Sequence, residues 1–237
     1  MASSDMSSLD YFVGGVPAGI IFKMSLDDIR KLLRGYKRRE FSVDTLNELC
    51  LIGLVSYFEA FCKNHFASII NVCPQILGNF LEKRSETTVN VRDLLKLEFV
   101  SNQIGFLLSE KYDFGSAKSV NSLYCDLILV SPFSKEEIKR YDELLNDRNL
   151  LVHHSGIYTS KYHEQRLVKS SIKGRIFFDS LVLSIEEVED WIEFLEGIVI
   201  KTVEGSYKVL SKFIAENNLS LNEESTKALN FLKEYHP

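Results

Sequence analysis

The chain has no surplus of positive charge: 28 Lys and Arg stand against 33 Asp and Glu, a net charge of −5. That balance argues against a protein that coats nucleic acid non-specifically, and confines any RNA contact to a local patch. Cysteine is scarce too, at four positions, Cys50, Cys62, Cys73 and Cys125, none of them in C-x-x-C spacing. They make no zinc set, and their mostly apolar, helical surroundings mark them as reduced core residues of a cytosolic protein. No basic segment precedes an apolar one at the N-terminus, and the most hydrophobic early stretch, Tyr11 to Phe22, is too short and Gly-rich to span a bilayer. The expectation is a soluble cytoplasmic protein without a membrane partner. Internal repeats and low-complexity tracts are lacking as well.

What is present is helical periodicity. Residues 1–10 read as a frayed leader, and Tyr11 to Phe22, broken by Gly14, Gly15, Pro17 and Gly19, as a strap rather than a helix. Ser25 followed by Asp28 predicts the start of a short amphipathic helix ending at Lys37-Arg38-Arg39, where cations suit a helix C-terminus. A long helix, apolar on nearly every side, is predicted from about Ser42 to Ala67 and must be central. Ile76 to Lys83 and Asp93 to Glu110 follow as helices, then a weaker apolar stretch from Ser119 to Leu129. Ser134 with Glu137, and Ser184 with Glu187, are capping boxes that open two further helices, the first ending at Ser155-Gly156 and the second near Glu216. Asn217 to Asn222 reads as a hinge and Glu223 to Tyr235 as a terminal helix. The fold class expected is all-α, with Arg175 to Leu183 as a candidate strand or hairpin arm. The organisation expected is an N-terminal extension over 1–40, a helical domain over 41–216 and a C-terminal helix over 217–237.

The stretch Asn146 to Gly156 stands apart from ordinary packing. With Arg148 at zero on a wheel of about 100° per residue, Tyr141, Leu144, Leu145, Leu151 and Val152 all fall within about 60° of it. A permanently cationic guanidinium in an apolar stripe is costly unless it meets a groove, an interface or a carboxylate. Asn149 and His153, spaced i, i+4, share its flank, so an Arg, an amide and an imidazole are available to one small anion such as a phosphodiester. His154 points about 140° from Asn149 and takes a lesser role. In the long apolar helix Glu59 and Lys63 are also i, i+4, and Glu59 needs a cation, either Lys63 or Arg148. From Ile157 to Gly174 basic and aromatic residues alternate, and Tyr158, Lys161, Tyr162 and Arg166 are candidate RNA contacts.

Arg148-Asn149-Leu150-Leu151-Val152-His153 resembles the R-x(4-6)-H signature of the HEPN superfamily (higher eukaryotes and prokaryotes nucleotide-binding), in which a polar residue commonly follows the Arg. The layout over roughly residues 42–215 is similar to the HEPN bundle of four to five helices, here with extra N- and C-terminal helices. It looks most like the stand-alone bacterial members linked to defence and toxin–antitoxin systems, some of which carry an acidic residue with a basic one four positions later, as Glu59 and Lys63 do. Members that place a Tyr two residues past the His differ from this chain, which has Ser155 there, so activities that depend on that Tyr do not transfer.

The resemblance implies a metal-independent endoribonuclease without a cofactor, active as a homodimer whose two motifs face each other, with an antitoxin or sensor protein as a candidate partner. Arg148 would stabilise the phosphorane, Asn149 would orient the phosphate or the imidazole, and His153 would move the proton, with Glu59, Lys63 and His154 in support. One imidazole per chain serves both proton transfers poorly, and a two-fold axis would bring a second. The alternatives are a catalytically silent HEPN-like module that binds RNA, a nucleotide or a partner protein, and a purely structural role for Arg148 paired with Glu59.

Overall fold

The computed structural model describes residues 6–35, 45–167 and 179–235, and among these the regular structure is helical throughout. The helices are α1 (Ala18–Gly35), α2 (Thr45–Val72), α3 (Leu77–Lys83), α4 (Val91–Leu94), α5 (Val100–Ser109), α6 (Ala117–Ile128), α7 (Lys135–His154), the single turn α8 (Ser160–Tyr162), α9 (Ile185–Glu216) and α10 (Glu223–Phe231). The all-α class is therefore the class of this chain. Of the candidate arm Arg175 to Leu183, residues 175–178 lie outside the described part, as do 168–174, and among the described residues Ser180 makes an isolated antiparallel bridge with Ile157. Lys37, Arg38 and Arg39 also lie outside it.

Two helices depart from the sequence expectation. Instead of a strap followed by a helix at Ser25, α1 begins at Ala18, directly after Pro17. Gly19 is there for close packing: a Cβ on it would lie 2.6 Å from the Glu234 carbonyl oxygen. Asp93 to Glu110 is not one helix but α4 and α5, separated at Leu95–Phe99, with Leu95 left 81% exposed. Asn90 caps α4 by accepting from the Arg92 amide at 2.8 Å, which starts the short helix ahead of the predicted one.

The chain forms two compact units. The first comprises Met1–Met24, Glu59–Phe133 and Glu196–Pro237. Its core is the C-terminal part of α2, where Phe61, Cys62, His65, Phe66, Ile69 and Ile70 are all buried. The Phe66 ring meets the rings of Phe80, Phe114 and Tyr124 edge-on at centroid distances of 5.6, 5.5 and 5.8 Å. Such pairs contribute about 0.5–1.5 kcal/mol each beyond area burial. On composition α2 is long and apolar enough to cross a membrane, and its part in this unit also carries the buried polar side chains His65, Ser68 and Asn71. Asn71, fully buried, donates to the Tyr11 carbonyl at 3.1 Å and accepts from the Gly105 amide at 2.8 Å, which ties α5 to α2. Gly105 makes that approach possible, since a Cβ there would sit 2.2 Å from the Ala67 carbonyl oxygen. Gly105→Ala is expected to lower stability by about 1–3 kcal/mol, read from the urea midpoint, because two helix backbones must separate to admit one methyl.

The second unit comprises Ser25–Phe58 and Ser134–Leu195. The N-terminal half of α2 buries Leu51, Leu54, Val55 and Phe58, α7 buries Tyr141 and Leu144, and the start of α9 buries Val188 and Ile192. Phe58 and Tyr141 meet at a centroid distance of 5.3 Å. Asn47, buried near the start of α2, donates to the Leu183 carbonyl at 2.8 Å and so fixes the segment entering α9. Arg140 lies 4.6 Å from the Phe194 ring centroid and pairs with Asp190, joining α7 to α9 on their outer faces.

Candidate functional site

Helix α7 is well specified at both ends. At its start the Ser134 hydroxyl accepts from the Glu137 amide at 3.3 Å while the Glu137 carboxylate accepts from the Ser134 amide at 2.6 Å. Glu136 and Glu137 suit the positive end of the helix dipole, and His153 and His154 the negative end. The helix stops where Ser155 and Gly156 take consecutive left-handed conformations, at φ 50° and 77°. Gly156 donates back to the Leu150 carbonyl at 3.2 Å, an acceptor that the Ser155 amide shares, and this closes off the end of the helix.

The chain that leaves this turn folds back along α7. Leu181 donates to the Gly156 carbonyl at 2.9 Å and Tyr158 to the Asp179 carbonyl at 3.0 Å, which fixes its first residues. Thr159 then caps α8 by accepting from the Tyr162 amide at 3.1 Å. Tyr162, buried, donates its hydroxyl to Asp147 Oδ1 at 2.8 Å and stacks on Tyr158 at 5.3 Å and 12°. Burial raises the Tyr158 phenol above its ordinary value, with the carboxylates of Asp179, Asp147 and Glu187 adding to the effect. A phenol so placed stays protonated.

Between α7 and the returning segment is a cleft of about 270 Å³. From α7 it is lined by Asn146, Asn149, Leu150, His153 and His154, and from the returning segment by Thr159, Lys161, Tyr162 and Gln165. The five α7 positions follow i, i+3, i+4, i+7, i+8, the signature of a single helix face. No carboxylate is among these lining residues, so the walls offer amides, hydroxyls, two imidazoles and an ammonium. Such a set can receive an anion.

No protein-family model, curated protein or solved structure matches this chain.

Of the residues singled out in the sequence, Asn149, His153, His154, Lys161 and Tyr162 come together in the cleft. Arg148 is not among its lining residues: it is half-buried on α7, about 170° round the helix from the centre of the cleft face. Tyr158 lies behind the wall, stacked on Tyr162. Arg166 belongs to the turn His163–Leu167. Glu59 and Lys63 are half-buried on α2 in the first unit, where Glu59, after burial itself, helps push the Cys62 thiol up. Among the described residues no group of three or more His, Cys, Asp and Glu is placed to hold a metal ion.

Asn146, Thr159, Gln165 and Asp147 were not singled out in the sequence. The first lies on the same helix face as Asn149 and His153, a spacing the sequence does contain. Asp147 is 3% exposed and acts as the anchor for Tyr162. Tyr162→Phe leaves that buried carboxylate one donor short and is expected to cost about 1–3 kcal/mol, measured by urea unfolding. The same variant should raise the protease sensitivity of residues 157–165 more than that of α7.

Proposed function

We propose that this chain is a metal-independent endoribonuclease of the HEPN type, cutting RNA by attack of a 2′-hydroxyl on the adjacent phosphate. The observation that carries the reading is the cleft at the end of α7, where Asn149 and His153 share one face and Lys161 stands across from them, with no carboxylate in the lining. In this reading Lys161 and Asn149 hold the phosphodiester and His153 carries a proton. Arg148, on the far side of α7, meets a phosphate only if a second copy of the chain brings the two motifs together about a two-fold axis, and there it balances the charge of the phosphorane. The setting proposed is a cytoplasmic defence or toxin–antitoxin pair in which a partner protein restrains the cut.

The test is direct. Purified chain, treated with chelator and incubated with a mixed single-stranded RNA, should yield fragments ending in 2′,3′-cyclic phosphate and beginning with a 5′-hydroxyl. Retention of RNA with no new ends would favour a silent binding module instead. Failure both to bind and to cut would remove the nucleic-acid reading altogether.

A further inference from the structure

We propose that His153 and His154 of one chain are together the proton-transfer pair of the cleft, so that the acid–base part of the reaction is complete within a single subunit. This rests on the ribonuclease reading above. Consecutive residues of a helix diverge by about 100°, and the two histidines are the last positions of the i, i+3, i+4, i+7, i+8 face that lines the cleft. The segment from Thr159 to Gln165 wraps the end of α7 widely enough that both histidines line one cleft, with Lys161 on the opposite wall. Both are exposed to solvent. The Tyr162 hydroxyl, which also lines the cleft, is already donated to Asp147.

The chemistry balances with these two groups alone. The neutral imidazole takes the proton of the 2′-hydroxyl as the bond from that oxygen to phosphorus forms. The bond from phosphorus to the 5′-oxygen breaks, and that oxygen takes a proton from the other, cationic imidazole. The products are a 2′,3′-cyclic phosphate and a 5′-hydroxyl, and the pair is left with its protonation states exchanged, to be reset by solvent. A second subunit is then needed for Arg148 and not for a second histidine.

The experiment uses the full-length chain as His153→Ala, His154→Ala and a co-refolded equal mixture of the two. Each variant is expected to lose at least about 100-fold in cleavage rate, and His154→Ala to lose one limb of the pH–rate profile. The mixture should cut no faster than the two variants apart. If each site instead drew its histidines from two chains, mixed dimers would restore about a quarter of wild-type activity, and that recovery would overturn the proposal. A His154→Ala protein cutting at the wild-type rate would overturn it as well. Should the wild-type chain cut no RNA, the ribonuclease reading fails on its own account, and titration with inorganic phosphate followed by NMR of the imidazole C–H resonances decides the rest. Both histidines shifting together, with one midpoint, supports a shared anion site; a response at His153 alone refutes it.

Discussion

His153→Ala is expected, on the proposed ribonuclease reading, to abolish RNA cleavage to within the background, a loss of about 10²–10⁴-fold, while leaving the chain folded. The fold should tolerate the change because His153 is exposed in the last turn of α7, where a cation interacts with the helix dipole by only about 0.3–1 kcal/mol. Urea midpoints of variant and wild type should therefore agree closely, and the difference should appear in the cleavage rate alone. Arg148 needs a gentler substitution, since it is half-buried and engaged within the fold. Arg148→Lys keeps the charge but loses the planar fork, and should reduce cleavage about 10-fold or more if the guanidinium braces the phosphorane. Unchanged cleavage by both variants would end the assignment of this cleft as a ribonuclease site.

The second large effect concerns acid. His65 is fully buried on α2, stacked between the rings of Phe61 at 5.4 Å and Tyr124 at 6.3 Å, and its Nε2 meets no hydrogen-bond partner among the described residues. Burial pushes its pKa down to about 3. An unfolded histidine titrates near 6.5, so between those two values the unfolded chain binds a proton that the folded chain refuses. Stability contributed by the neutral ring is thus complete above about pH 6.5 and is lost as the pH falls toward 3, at up to about 1.4 kcal/mol per pH unit. Across the whole window the loss amounts to roughly 3–5 kcal/mol, enough to bring many domains close to unfolding. His65→Phe keeps a flat ring between the same neighbours and should flatten this slope. Urea midpoints at pH 7, 5.5 and 4.5 make the comparison, and a variant as acid-sensitive as the wild type would show that other groups dominate.

How much of this was legible beforehand differs from element to element. Capping boxes are local, and both Ser134 with Glu137 and Ser184 with Glu187 occur as read. The left-handed stop at Ser155-Gly156 was equally local. Gly19 reads from the sequence as a turn residue because glycine near proline signals one, whereas in the fold it lets the start of α1 approach the Glu234 carbonyl, a contact made more than two hundred residues later. Likewise α4 and α5 part at Leu95 to Phe99, although the periodicity continues across the gap. In the cleft, Asn149 and His153 could be paired by helical arithmetic alone. The opposite wall could not, because its place depends on a phenol reaching a carboxylate fifteen residues earlier. The wheel also set Arg148 beside Asn149 and His153 without knowing on which side the returning chain would close.

That closure has an evolutionary corollary. Helix α7 is capped at both ends, whereas the facing wall is attached through the three residues that separate Gly156 from Ser160 and is held by the backbone bonds of Tyr158 and Leu181 and by the Tyr162 phenol. Lengthening that connection by a residue would reset the gap between the walls while leaving every α7 side chain where it is. On the proposed ribonuclease reading, selectivity among RNAs would then drift by insertion and deletion in this connection, independently of the α7 side chains that line the cleft.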